Sequence, residues 1–162
     1  MKTRWVISAL LALPLGAAIP VAPQTIVEEG SPDSIAFHRL ASDLDSAWNG
    51  RDATMFAGLF LEDADFQFHT GDLLVGREQI EKYYASRVFP GMPADRRHTT
   101  TLQRSRFLAP GVAIGGGSVV LSRAGTTGEE EPYLRLLFTS VVVKRDGEWR
   151  IAAVRLMVAT TE

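Results

Sequence analysis

Tyr133-Leu134-Arg135-Leu136-Leu137-Phe138-Thr139-Ser140-Val141-Val142-Val143-Lys144-Arg145-Asp146-Gly147-Glu148-Trp149-Arg150-Ile151-Ala152-Ala153-Val154-Arg155-Leu156-Met157-Val158 settles the architecture of this chain. β-Branched and aromatic residues fill it on both sides of Asp146-Gly147, a dipeptide that tolerates the positive φ angles of a two-residue hairpin turn. Residues 133–145 and 148–160 are therefore expected to pair as antiparallel strands. Upstream, residues 97–108 and 112–123 read the same way and meet at Ala109-Pro110-Gly111. A polar loop, residues 124–132, carries Glu129-Glu130-Glu131. Four strands of about a dozen residues would each span ~40 Å if straight, so the sheet must coil and bend. Gly115-Gly116-Gly117 is the expected place for that bend or a bulge.

Helices precede the strands. Ser31-Pro32-Asp33 offers an N-cap with proline in the first turn. Phe37, Leu40, Ala41, Leu44, Ala47 and Trp48 then fall on one helical face. Asn49-Gly50-Arg51 ends that helix, and Asp52 caps a shorter one carrying Met55, Phe56, Leu59 and Phe60. Glu62-Asp63 reads as a turn and residues 64–69 as a short strand with Phe66 and Phe68 on one side. Thr70-Gly71-Asp72 turns the chain into Leu73-Leu74-Val75. Gly76 opens a third helix with Ile80, Tyr83, Tyr84 and Val88 on one face, stopped by Pro90-Gly91. The expected class is α+β: three N-terminal helices packed on a strongly curved antiparallel sheet, forming a cone with a mouth.

The chain has 162 residues, 17 Lys+Arg against 19 Asp+Glu, and no Cys. That length suits one domain behind a leader. Without Cys there is no disulfide, thiolate metal site or cysteine nucleophile. A formal charge of −2 gives no reason to expect nucleic acid as a partner. Lys2 and Arg4, an uncharged apolar run and the small residues Gly16-Ala17-Ala18 and Val21-Ala22 have the layout of a signal peptide over residues 1–22. Cleavage falls near 18–22, with Ala18 favoured because Pro23 follows Ala22. The alternative is an uncleaved membrane anchor, which Pro14, Gly16 and Pro20 interrupt. Cleavage leaves no stable membrane insertion and an exported, periplasmic or secreted protein. Residues 23–32 read as a flexible lead-in and residues 33–160 as the folded domain.

Four pieces carry a resemblance: Trp48-Asn49-Gly50-Arg51-Asp52, Leu59-Phe60-Leu61-Glu62-Asp63-Ala64-Asp65-Phe66, Gly76-Arg77-Glu78-Gln79-Ile80, and Val143 through Ile151. In this order and spacing the chain resembles the nuclear-transport-factor-2-like superfamily, and within it the SnoaL-like and SgcJ/EcaC-type domains. The resemblance implies a pocket between helices and sheet, often in a homodimer. It leaves the reaction open, because this superfold hosts isomerases, dehydratases, cyclases, hydrolases and binding modules. The tyrosine and two acids of its steroid isomerases fall on Leu44, Phe68 and near Val141. None of these can abstract a proton or stabilise an enolate.

Among the chemically capable residues, His69 ends the first short strand at the expected mouth. It is either a general base or a rim histidine bonded to a loop carbonyl. Tyr84 is its expected catalytic assistant, or a core tyrosine. Trp48, Phe68, Tyr83, His98, Arg135 and Thr139 are the expected ligand contacts. Arg135 and Thr139 enter the cavity if the odd-numbered side of residues 133–143 faces inward; a rim salt bridge to Glu129–Glu131 is the competing role for Arg135. Asp43 and Asp45 read as helix-surface carboxylates. His38, His69 and His98 lack metal-ligand spacing, so no metal is expected, and no nicotinamide or flavin fingerprint suggests a cofactor. The expected function is an exported small-molecule-binding domain, with cofactor-free acid/base catalysis of the isomerase, dehydratase or cyclase type as its chemistry. The alternative is a non-catalytic dimeric interaction or scaffold domain. A cavity of ~300 Å³ or more favours the first and a filled cone the second.

Overall fold

A computed structural model describes residues 25–126 and 128–159. Helix α1 (Pro32–Gly50) starts where the Ser31 hydroxyl accepts the Ser34 N–H, and it ends on Arg51 in the left-handed region at φ 57°. Helix α2 (Ala53–Gly58) starts where Asp52 accepts the Met55 N–H at 2.8 Å. Strands β1 (Phe60–Gln67) and β2 (Leu73–Val75) follow, then α3 (Arg77–Tyr83), which runs on into a π-helical turn, Tyr84–Val88. Four long strands complete the chain: β3 (Arg97–Ala109), β4 (Val112–Ala124), β5 (Glu130–Arg145) and β6 (Glu148–Val158).

Two local expectations are corrected. Phe60 begins β1 rather than closing α2, and Glu62-Asp63 lies inside that strand. Their turn chemistry survives as a bulge: Phe60 pairs with Ile151 but Asp65 already with Ala153, so β1 carries extra residues between two rungs of the ladder. The second correction concerns the lead-in. Instead of lying free, residues 25–27 run along β3, where the Phe107 N–H donates to the Thr25 carbonyl at 2.9 Å and Val27 is buried. The outer edge of β3 has unpaired backbone groups, and this segment satisfies some of them. The signal peptide and its cleavage site lie outside the described residues. Among those described, no helix is long and apolar enough to cross a membrane.

The sheet has the order β2-β1-β6-β5-β4-β3, antiparallel except for the parallel pair β1 and β6, and it stays unclosed. The helices gather on one face. The glycine run acts where expected: Leu102 pairs with Gly117 and Arg104 with Gly116, leaving Gln103 as the bulged residue on the neighbouring strand. A Cβ at Gly117 would lie 2.0 Å from the Thr101 carbonyl oxygen, so no other residue fits this close approach. Phe60, Ile80 and Ile151 are fully buried between helices and sheet. Around them Phe56, Phe66 and Tyr84 stack, with the Phe56 and Tyr84 ring centroids 4.1 Å apart.

Candidate functional site

Between α1, the π-helical turn and the concave face of the sheet lies a cavity of about 220 Å³. That is below the ~300 Å³ typical of drug-sized pockets and above the ~150 Å³ that holds a benzene molecule. Its walls are apolar. Leu40, Leu44 and Trp48 come from α1, and Leu121, Leu136 and Leu156 from the sheet. Among the described lining residues, His69, Tyr84, His98, Thr100, Ser105 and Ser140 and the indole N–H of Trp48 are the polar side-chain groups.

The best-ordered polar group is centred on Asp45. His98 Nδ1 lies 2.7 Å from Asp45 Oδ1, and the Thr100 hydroxyl donates to the same oxygen at 2.7 Å. The Thr100 N–H donates to Oδ2 at 2.9 Å. Next to it, Asn49 accepts the His98 N–H at 2.8 Å and donates to the His98 carbonyl at 3.0 Å. Two side chains of α1 thus occupy the edge of β3 as a neighbouring strand would. Burial pushes the Asp45 carboxyl up, but hydrogen bonds from His98, the Thr100 N–H and the Thr100 hydroxyl outweigh it and hold its pKa below the ordinary value. Asp45 is therefore a carboxylate at neutral pH and its partner nitrogen is the donor. That assigns the proton of a neutral His98 to Nδ1 and leaves the Nε2 lone pair free. The Trp48 ring lies over the imidazole, with centroids 5.2 Å apart, and fixes its plane.

Tyr84 is buried in the cavity wall, and its hydroxyl has no hydrogen-bond partner among the described residues. Burial first, then the neighbouring Tyr83, push its pKa far up, so it remains a proton-bearing donor. Its position follows from the π-helical turn: the Phe89 N–H reaches back to the Tyr84 carbonyl at 2.9 Å, and Tyr84, Val88 and Phe89 all turn inward. His69 lines the cavity at an exposed position, as expected of a mouth residue. Phe68 and Trp48 line the cavity as well. Tyr83 stands behind the wall, packed on Phe68 at 5.1 Å.

Arg135 and Thr139 are not among the lining residues, which corrects their expected placement. On β5 the even-numbered residues Leu134, Leu136, Phe138, Ser140 and Val142 face the cavity, while Arg135 is exposed on the outer face. Both faces of this strand are apolar, so alternation alone could not choose between them, and the choice inverts every side chain at once. Asp45 was misread in the other direction, as a surface group. Its signal was present: it lies four residues after Ala41 and three before Trp48, beside the apolar stripe. Asn49 and Thr100 had no such mark.

A family model described as a SnoaL-like domain matches residues 33–155. Among solved structures, the Mycobacterium tuberculosis protein Rv3472, of unknown function, is 27% identical; the match covers 80% of this chain and 73% of that one, with TM-score 0.66. A domain of unknown function with a cystatin-like fold from Nostoc punctiforme is 25% identical over 81% of this chain and 80% of its own, with TM-score 0.69. An NTF2-like protein with a cystatin-like fold from Novosphingobium aromaticivorans is 14% identical over 80% and 84%, with TM-score 0.70, and speaks for the fold alone. No curated protein matches the chain.

Proposed function

The chain belongs to the SnoaL-like domain family, and from that membership we propose that it binds a small, largely apolar molecule in its cone and performs cofactor-free acid/base chemistry on it. His98 is the base. The observation that carries this is the 2.7 Å contact between His98 Nδ1 and the Asp45 carboxylate at the cavity wall. A carboxylate that fixes the tautomer and plane of an imidazole leaves Nε2 to take a proton, and it stabilises the imidazolium that forms. Tyr84 complements it by donating a hydrogen bond to an oxygen on which negative charge develops, in walls dry enough to strengthen that bond. Proton abstraction by His98 beside a carbonyl, followed by return of that proton to another carbon or to a departing β-hydroxyl as water, or by ring closure of the enolate onto a carbonyl whose oxygen takes the proton, is the reaction class this pair serves. The catalytic role expected for His69 at the mouth stands as the competing assignment.

The modest cavity volume favours the rival reading, a non-catalytic dimeric interaction domain. On the outer face Leu137 and Met157 pair side by side, exposed at 38% and 44%. This apolar strip supports a homodimer under either reading. The leader over residues 1–22 supports export, which the mass of the mature N-terminus checks.

Native mass spectrometry of the purified protein identifies a retained ligand, and paired variants assayed on it decide the base. His98→Ala is expected to lower turnover by about 10²–10⁴-fold while the protein stays folded, with a stability loss of about 1–3 kcal/mol from the donor that Asp45 loses, and His69→Ala by less than about tenfold. The reverse ranking would move the base to His69. Undiminished turnover in both variants would remove both histidines as the base, and no turnover in the parent would leave only the binding reading.

A further inference from the structure

We infer that the cone holds a slender, unbranched apolar molecule with a second oxygen at its inner end, where Ser105 and Ser140 form a hydrogen-bonding seat remote from His98. This rests on the cone being a ligand site, as proposed above.

The ladder register arranges the cavity wall in rows. His98, Leu121 and Leu134 form the row at the mouth; Thr100, Val119 and Leu136 the next. Leu102, Gly117, Phe138 and Leu156 follow. The fourth row is Ser105, Gly115, Ser140 and Val154, and beyond it Val142 and Ile151 seal the bottom. Thus the polar groups are not scattered. On the sheet wall they occupy the two ends of the cavity, with a purely apolar row between them, while Tyr84 enters from the helical side.

The length follows from the same elements. Along α1 the lining runs from Phe37 to Trp48, which at 1.5 Å per residue is about 16 Å. From His98 to Ser105 the strand covers roughly 20 Å, less its bend. A compact cavity of about 150 Å³ holds a benzene ring. Here 220 Å³ is drawn out over that length, which suits one chain rather than a fused ring system.

The seat itself is built around a missing side chain. Ser105 and Ser140 lie on strands either side of Gly115, with backbones roughly 10 Å apart. Both serines are half-buried and line the cavity. A Cβ at Gly115 would stand 3.5 Å from Ser140 Oγ and 3.2 Å from Leu102 Cδ1, so the space over Gly115 opens beside Ser140 and is bounded on the β3 side by Leu102. An oxygen at the inner end of a ligand meets one of these hydroxyls there, as acceptor or as donor.

The test is calorimetric titration of the intact protein with two homologous series, 1-alkanols and α,ω-alkanediols of about six to twelve carbons. Each added methylene should tighten binding about threefold to fourfold until the cavity is filled. Near that length the diol should bind at least as tightly as the alkanol. An apolar blind end would instead penalise its buried second hydroxyl by tenfold or more. Ser105→Ala/Ser140→Ala should weaken the diol by about tenfold and the alkanol of the same length by much less, and Gly115→Ala should shift the two series in the same order. Diols weaker than alkanols in the parent, or variants that weaken both series equally, would overturn the inner seat while leaving the cone a ligand site. Binding of neither series would overturn the slender guest, and a retained ligand of another shape in native mass spectrometry would still uphold the cone as a site.

Discussion

The two ends of α1 are fastened to the sheet by different physics. At its start, Phe37 packs edge-on against Trp149 with ring centroids 4.8 Å apart, Trp149 Nε1–H donates to Asp33 at 2.8 Å, and residues 25–27 complete the edge of β3 through the backbone. At its end, the carboxylate of Asp45 and the amide of Asn49 take that backbone role, and an imidazole shares the carboxylate. Aromatic packing is tolerant and cheap to maintain. A half-buried carboxylate is stable only while every donor around it stays in place. The difference teaches that the closed end serves the fold, whereas the mouth accepts a constrained polar arrangement that orients a histidine toward the cavity.

The comparison breaks most visibly at the closed end. Phe37→Ala removes a ring that is 5% exposed, and urea unfolding should show a loss of about 3–5 kcal/mol. A loss under about 1 kcal/mol would mean that this end does not carry the fold. Asp45→Asn tests the mouth. It keeps the shape but loses the charge that three donors address, at an expected cost of roughly 1–3 kcal/mol at neutral pH. Because the folded pKa of Asp45 is lowered, its contribution is present above the unfolded value of about 3.9 and disappears as pH falls through the folded value. The gap between parent and variant should therefore narrow below about pH 4; a gap independent of pH would mean the carboxylate is not the stabilising species. Smallest is Trp149→Phe, which preserves packing and deletes the bond to Asp33, for about 1 kcal/mol or less by thermal melting. A much larger loss would show that the closed end too depends on a polar contact.

How far these features could be read without coordinates depended on how local they are. The caps at Ser31 and Asp52, the Asp146-Gly147 turn, the third helix and the four long strands all rest on interactions within a few residues. Each was legible. Asp43 and Asp45 were not distinguishable in the same way. On a helix they point nearly opposite ways, so one of them must lean toward the apolar face. What Asp45 meets there comes from His98, 53 residues on. Arg135 and Thr139 were placed on the wrong side because both faces of β5 are rich in apolar side chains.

Local free energies in this chain select helix, turn and strand residue by residue, and they dictate an α+β cone with its helices ahead of its sheet. Which face of β5 turns inward, and which histidine finds a carboxylate, depends on energies summed over contacts between distant segments. A one-residue shift of register inverts an entire strand at little local cost. Only packing of the helices onto the bent sheet separates those alternatives, and that packing brings Asp45 to His98 at the cavity wall.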